Sequence, residues 1–235
     1  MTPNKALIAS VRRELRRRAD PAKAPEMQAY MKSEQPYLGV QLPVLRAATR
    51  AALAGRRLAS FEEWRDTVLA LWRAARYREE RYAALQLAGE KPYREYRTPD
   101  ALPIYEELIV TGAWWDHVDW VATRHLRELH ERFPQEAREA MLAWSRDPHL
   151  WKRRAAILSQ IGLRERTDTD LLAETIAGSI DDPDFFARKA IGWALREYSK
   201  TDGGWVRSFV AERPLSPLSA REALKWLEHV HVPRA

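Results

Sequence analysis

Two nine-residue segments 35 positions apart carry one pattern. Asp147-Pro148-His149-Leu150-Trp151-Lys152-Arg153-Arg154-Ala155 realigns on Asp182-Pro183-Asp184-Phe185-Phe186-Ala187-Arg188-Lys189-Ala190, matching the acidic cap, the proline, the apolar pair, two basic residues and the alanine. Weaker copies of the basic-then-apolar signature stand at Arg81-Tyr82-Ala83-Ala84-Leu85 and Arg221-Glu222-Ala223-Leu224. Strand signals are nearly absent, and apolar residues recur at helical spacing over most of the length. A period of about 35 to 40 residues in a helical chain means stacked helix pairs, each too small to bury its apolar face alone.

Helix starts are predicted at Thr2-Pro3, at the capping box Ser60-Phe61-Glu62-Glu63, and at Thr98-Pro99-Asp100, Asp147-Pro148, Asp182-Pro183 and Ser216-Pro217. Each places a capping oxygen at or near a proline or an acid. Stops are predicted at Gly55, Gly89, Gly112, Gly162 and a Gly203-Gly204 turn. The result is an all-α chain of about a dozen helices joined by short loops. We expect a HEAT-like α-solenoid of stacked antiparallel helix pairs with a concave basic face, residues 1–235 forming a single domain without a dividing linker.

In such a stack, equivalent positions of successive repeats line one surface. Asp119 lies 35 residues before Arg154, so Arg81, Asp119, Arg154, Lys189 and Arg221 are expected in one row, with Asp119 interrupting four cations. Within Trp114-Trp115-Asp116-His117-Val118-Asp119, helical spacing puts Trp114, Val118 and Val121 on a core stripe and Trp115, Asp119 and Thr123 on its neighbour. Trp193 stands one turn after Lys189. A Trp-rich helix start is accounted for by packing plus a capping acid. An aromatic plate and a carboxylate one turn apart, among cations, are also a place for a flat, electron-poor ligand. Arg154 has two readings as well, a phosphate clamp and a salt bridge to Asp119.

The 39 Lys and Arg against 33 acids give a net charge of +6 and a pI near 9.6, which suits a polyanionic partner such as double-stranded DNA. The arginine run Arg12 to Arg18 reads as a solvated helix face. The absence of cysteine excludes a thiol nucleophile and a cysteine zinc site. The chain shows no apolar leader and no uncharged run of about 18 residues, so a cytoplasmic protein without membrane attachment is expected. The six histidines form no HxxxH pattern, no carboxylate group at metal-ligand spacing accompanies Asp119, and no glycine-rich phosphate loop is present. No metal or cofactor is therefore expected. One carboxylate does suffice for a dissociative reaction that builds positive charge, such as departure of a purine from deoxyribose. Two rival readings use the same features: a HEAT-like protein that binds damaged or branched DNA without catalysis, and a scaffold for acidic protein partners.

The segments Trp114 to Asp119, Leu150 to Leu158 and Phe185 to Tyr198 resemble the AlkD family of DNA alkylation repair enzymes, HEAT-like bacterial DNA glycosylases. The likeness covers nearly the whole chain, including Tyr30-Met31-Lys32 and Tyr37-Leu38-Gly39. It implies a monofunctional, metal-free glycosylase that excises positively charged N3- and N7-alkylated purines from duplex DNA without base flipping. By this resemblance Asp119 is the catalytic acid, Trp115 and Trp193 contact the lesion's deoxyribose and backbone, and Arg154 and Tyr30 contact DNA. Lys189, Arg81 and Arg221 join the DNA contacts through the repeat register. Phe185 and Phe186 match in identity and are read as packing, and His117 as a variable position. The expected product is abasic DNA without strand cleavage, made by a monomer that needs no protein partner.

Overall fold

The computed structural model describes residues 2–230, and among them no strand occurs. Fourteen α-helical segments and short 3-10 turns fall into two compact units, Met1–Ile104 and Tyr105–Ala235.

In the first unit α1 (Lys5–Arg17) packs on α3 (Leu42–Leu53), α4 (Phe61–Arg73) and α5 (Arg78–Ala88), with α2 (Ala24–Met31) leading into the loop before α3. The apolar stripe of α1, Leu7, Val11 and Leu15, is fully buried with Leu45, Trp64, Val68, Leu71 and Leu85. Ser60 caps α4 by accepting from the Glu63 N–H at 3.2 Å, and the Glu63 carboxylate reaches back to the Ala59 N–H at 2.8 Å. The loop before α3 is pinned from below by Glu79, which accepts the N–H groups of Leu38 and Val40 at 2.9 and 3.0 Å. Gly39 between them adopts φ +81°, and a Cβ there would lie 1.9 Å from the Asp20 carbonyl oxygen. Only glycine fits that crossing.

The second unit repeats one theme. After α6 (Leu102–Gly112), the helix α7 (Trp115–Trp120) runs through a π-helical turn (Val121–Leu126) into α8 (Arg127–Arg132). Then come α9 (Pro134–Ser145), α10 (Leu150–Leu158), α11 (Thr169–Ala177), α12 (Phe185–Tyr198), α13 (Gly203–Glu212) and α14 (Pro217–Val230). Contacts join α7 to α10, α10 to α12 and α12 to α14, while α9 packs on α8 and α10, α11 on α9 and α10, and α13 on α12 and α14. These are stacked helix pairs of the HEAT type. The repeat is legible atom by atom. Asp147 Oδ1 accepts the His149 N–H and Asp182 Oδ1 the Asp184 N–H, both at 2.8 Å. Arg153 donates to the Asp147 carbonyl at 2.8 Å, and its repeat equivalent Arg188 donates to the Asp182 carbonyl at 3.0 Å.

One predicted stop is a start. Gly203 and Gly204 open α13 because Asp202 accepts the Trp205 N–H at 2.8 Å and caps that helix. A Cβ on Gly203 would stand 2.7 Å from Leu227 Cδ2, so the glycine there permits close helix packing and does not end a helix.

Candidate functional site

The site begins with a sharp entry into α7. Ala113 takes φ +39° and Trp114 is extended (φ −151°, ψ 148°), so the helix starts at Trp115. The Trp114 ring is held against Trp151 and Phe186, with ring centroids 6.2 and 5.4 Å away, and Trp151 and Phe186 meet at 5.0 Å. This trio joins the first turn of α7 to the first turns of α10 and α12, and Val118 and Val121 continue the core stripe at 0% exposure. One stripe over, Trp115 and Asp119 remain partly exposed. The π turn follows directly, where the Thr123 hydroxyl donates to the Asp119 carbonyl at 2.7 Å. Single π turns recur inside α-helices at functional positions.

Both Asp119 carboxylate oxygens are taken by one guanidinium. Arg154 donates from Nε to Oδ1 and from Nη2 to Oδ2, each at 2.8 Å, and from Nη1 to the Phe186 carbonyl at 2.7 Å. The side chains are 14% (Asp119) and 6% (Arg154) exposed, so the fork-to-fork pair lies in a largely dry setting. Burial pushes the Asp119 carboxyl above the ordinary aspartate range. The Arg154 charge and hydrogen bonds oppose that rise, and the nearby Asp116 adds to it. The salt-bridge reading of Arg154 is thus realised in the structure. Its guanidinium also lies 5.9 Å from the Phe186 ring centre.

Further along the expected row, Lys189 on α12 pairs with Glu222 of α14 at 3.2 Å, and Arg196 reaches the same carboxylate at 3.0 Å. Arg221 is exposed, and Trp193 is partly exposed beside Gly192. A Cβ on Gly192 would come within 2.5 Å of Glu222 Cβ and 3.0 Å of the Ser219 carbonyl oxygen, so α12 and α14 cross closely where Trp193 emerges. Arg81 and Tyr30 belong to the first unit. Arg81 sits over the Trp72 ring at 4.8 Å, and Tyr30 on α2 is 76% exposed.

The two phenylalanines divide. Phe186 packs as expected, but Phe185, the first residue of α12, is 57% exposed. Two partners were not foreseen in the sequence. The Phe186 carbonyl receives the third Arg154 nitrogen, and a backbone acceptor leaves no trace in residue type. Glu222 gathers Lys189 and Arg196, and its only sequence signal is a place next to Arg221 in a weak repeat copy.

Residues 11–227 match the model of a protein family described as DNA alkylation repair enzyme. A solved structure described as a predicted DNA alkylation repair enzyme from Enterococcus faecalis superposes with a TM-score of 0.81 at 30% sequence identity, covering 89% of this chain and 97% of its own. No curated protein matches the chain. Among the described residues no helix is long and apolar enough to cross a membrane.

Proposed function

The chain belongs to the DNA alkylation repair enzyme family, and from that premise we propose that it is a monofunctional DNA glycosylase releasing cationic N3- and N7-alkylated purines from duplex DNA. The observation that carries this reading is the Asp119 carboxylate, kept in a largely desolvated position by a single arginine and flanked along its helix by the partly exposed Trp115. The bond between C1′ and the purine nitrogen breaks, and the base leaves with the bonding pair, which cancels the positive charge that alkylation put on it. The sugar becomes an oxocarbenium ion. Asp119 stabilises that cation, and water then adds to C1′ and gives up its proton, leaving an abasic site.

Magnitudes agree with one acid being enough. A carboxylate about 4 Å from a full positive charge, at an effective dielectric near 20, contributes about 4 kcal/mol. That is at most roughly a thousandfold in rate, because the Arg154 charge paired with the carboxylate opposes it. A base already made cationic needs no protonation, so no second acid is required of the protein. Selectivity then comes from the lability of the glycosidic bond, without base flipping, in contrast to enzymes that draw the base into a pocket. Trp115 and Trp193 are assigned to the deoxyribose and backbone beside the lesion. Arg154 has two tasks in this reading: its charge and hydrogen bonds favour the anionic form of Asp119 against burial, and it meets a DNA phosphate when the duplex arrives. Lys189, Arg221, Arg81 and Tyr30 are assigned to further DNA contacts, with residues 1–235 acting as one functional domain.

The test is incubation of the purified chain with methylated duplex and identification of what is released. Free 7-methylguanine or 3-methyladenine, together with unbroken abasic strands, is expected. Tight DNA binding with no base release would leave a non-catalytic damage-binding protein in place of the enzyme.

A further inference from the structure

The first unit carries a groove that the glycosylase reading leaves unused. It has a volume of about 480 Å³ and lies between α1 and the C-terminal end of α4. Four cations, Lys5, Arg12, Arg16 and Arg76, line it, and no acidic side chain does. Its floor is apolar, built mainly on Ile8 and Ala70. On α1 the positions 5, 8, 12 and 16 fall on one helix face, giving a strip about 16 Å long at 1.5 Å per residue.

The cations differ in how they are held. Arg12 is fixed at the groove wall, donating to Glu80 at 3.0 Å and to the Ala74 carbonyl at 2.6 Å. Lys5, Arg16 and Arg76 are exposed and form no ion pair with any described residue. Three unengaged cations around an apolar trough ask for an anion that carries apolar surface. A phosphate backbone satisfies the rim but has little to bury on the floor. An acidic peptide satisfies both, and about five extended residues at 3.3 Å each match the length of the strip.

We propose that this groove docks an acidic peptide segment of a partner protein, its carboxylates meeting Lys5, Arg16 and Arg76 while an apolar side chain lies on Ile8 and Ala70. None of these residues belongs to the proposed catalytic machinery, so the inference stands or falls separately from the glycosylase reading.

The test is fluorescence anisotropy of the full chain with a labelled hexapeptide alternating aspartate and leucine, at about 50 mM salt where surface charges are weakly screened. Saturable binding is expected. The double variant Arg16→Glu, Arg76→Glu should bind at least about tenfold more weakly, a loss of about 1.4 kcal/mol, while its melting temperature and its single-turnover rate of base release at saturating protein stay at wild-type values. No binding, or unchanged affinity in the double variant, overturns the proposal. So does equal binding of a peptide with glycine in place of leucine, because the floor then plays no part. Displacement of the peptide by a short duplex whose own affinity falls further in this double variant than in the equally charged Arg56→Glu, Arg57→Glu control overturns it in favour of a DNA contact.

Discussion

Asp119 and Arg154 concentrate the chemistry of the second unit into one ion pair, and each half predicts something different. Glycosylase activity requires the carboxylate, and burial raises its proton affinity, so the acid limb of the pH–rate profile should have its midpoint above the 3.8 of an ordinary aspartate. The sign for stability is opposite. The folded state binds this proton at a higher pH than the unfolded state, so the site's unfavourable contribution is full above the folded-state pKa and fades as pH falls through it. An acid limb at or below 3.8 would separate Asp119 from the rate. Arg154→Ala strands a buried carboxylate, and loss of one partner from such a pair costs about 3 kcal/mol. Denaturant unfolding should show that loss. The same variant should weaken DNA binding and flatten its salt dependence by about one phosphate contact. A wild-type salt slope would leave Arg154 as the counter-ion of Asp119 alone.

Among the helices, the repeat was legible because it is written in side chains with fixed tasks: Asp147 and Asp182, each accepting the N–H two residues on, and Arg153 and Arg188, folding back onto the carbonyls of those aspartates. The same 35-residue register placed Arg154 beside Asp119, and of the two readings left open there, phosphate clamp and salt bridge, the folded chain shows the salt bridge. What stayed hidden has physical causes. The π turn after Asp119 changes helical phase without any change in residue type. Gly203 looks like a stop in sequence, yet its role is set by Leu227, 24 positions on. Of the two acids before α12, Asp182 and Asp184, it is Asp184 that caps the helix, accepting the Phe186 N–H. Gly192 offers a test of how tightly the elements are fixed. Gly192→Ala places a Cβ against Glu222 Cβ and the Ser219 carbonyl oxygen, so it should cost about 1 to 3 kcal/mol as an overpacked contact. Thermal melts check this, and a melting temperature at or above wild type would mean that the α12 to α14 crossing is loose.

Across the whole molecule, the +6 charge supplies a sequence-blind attraction to DNA that no single residue controls. Binding of undamaged duplex should therefore fall linearly in log affinity with log salt, with a slope that counts several phosphates. A slope near zero would mean that the arginine excess serves another partner. Catalysis, by contrast, is assigned to one carboxylate, and the most direct measurement compares wild type with Asp119→Asn on methylated duplex under single-turnover conditions. The asparagine keeps one acceptor for Arg154 but removes its counter-charge, so stability should fall by about 3 kcal/mol, and the rates are compared at saturating protein well below the melting transition of the variant. The rate of 7-methylguanine or 3-methyladenine release should drop by roughly a hundred- to a thousandfold, the worth of one charge beside the sugar cation. Release at the wild-type rate from a folded, DNA-bound Asp119→Asn protein would contradict the account.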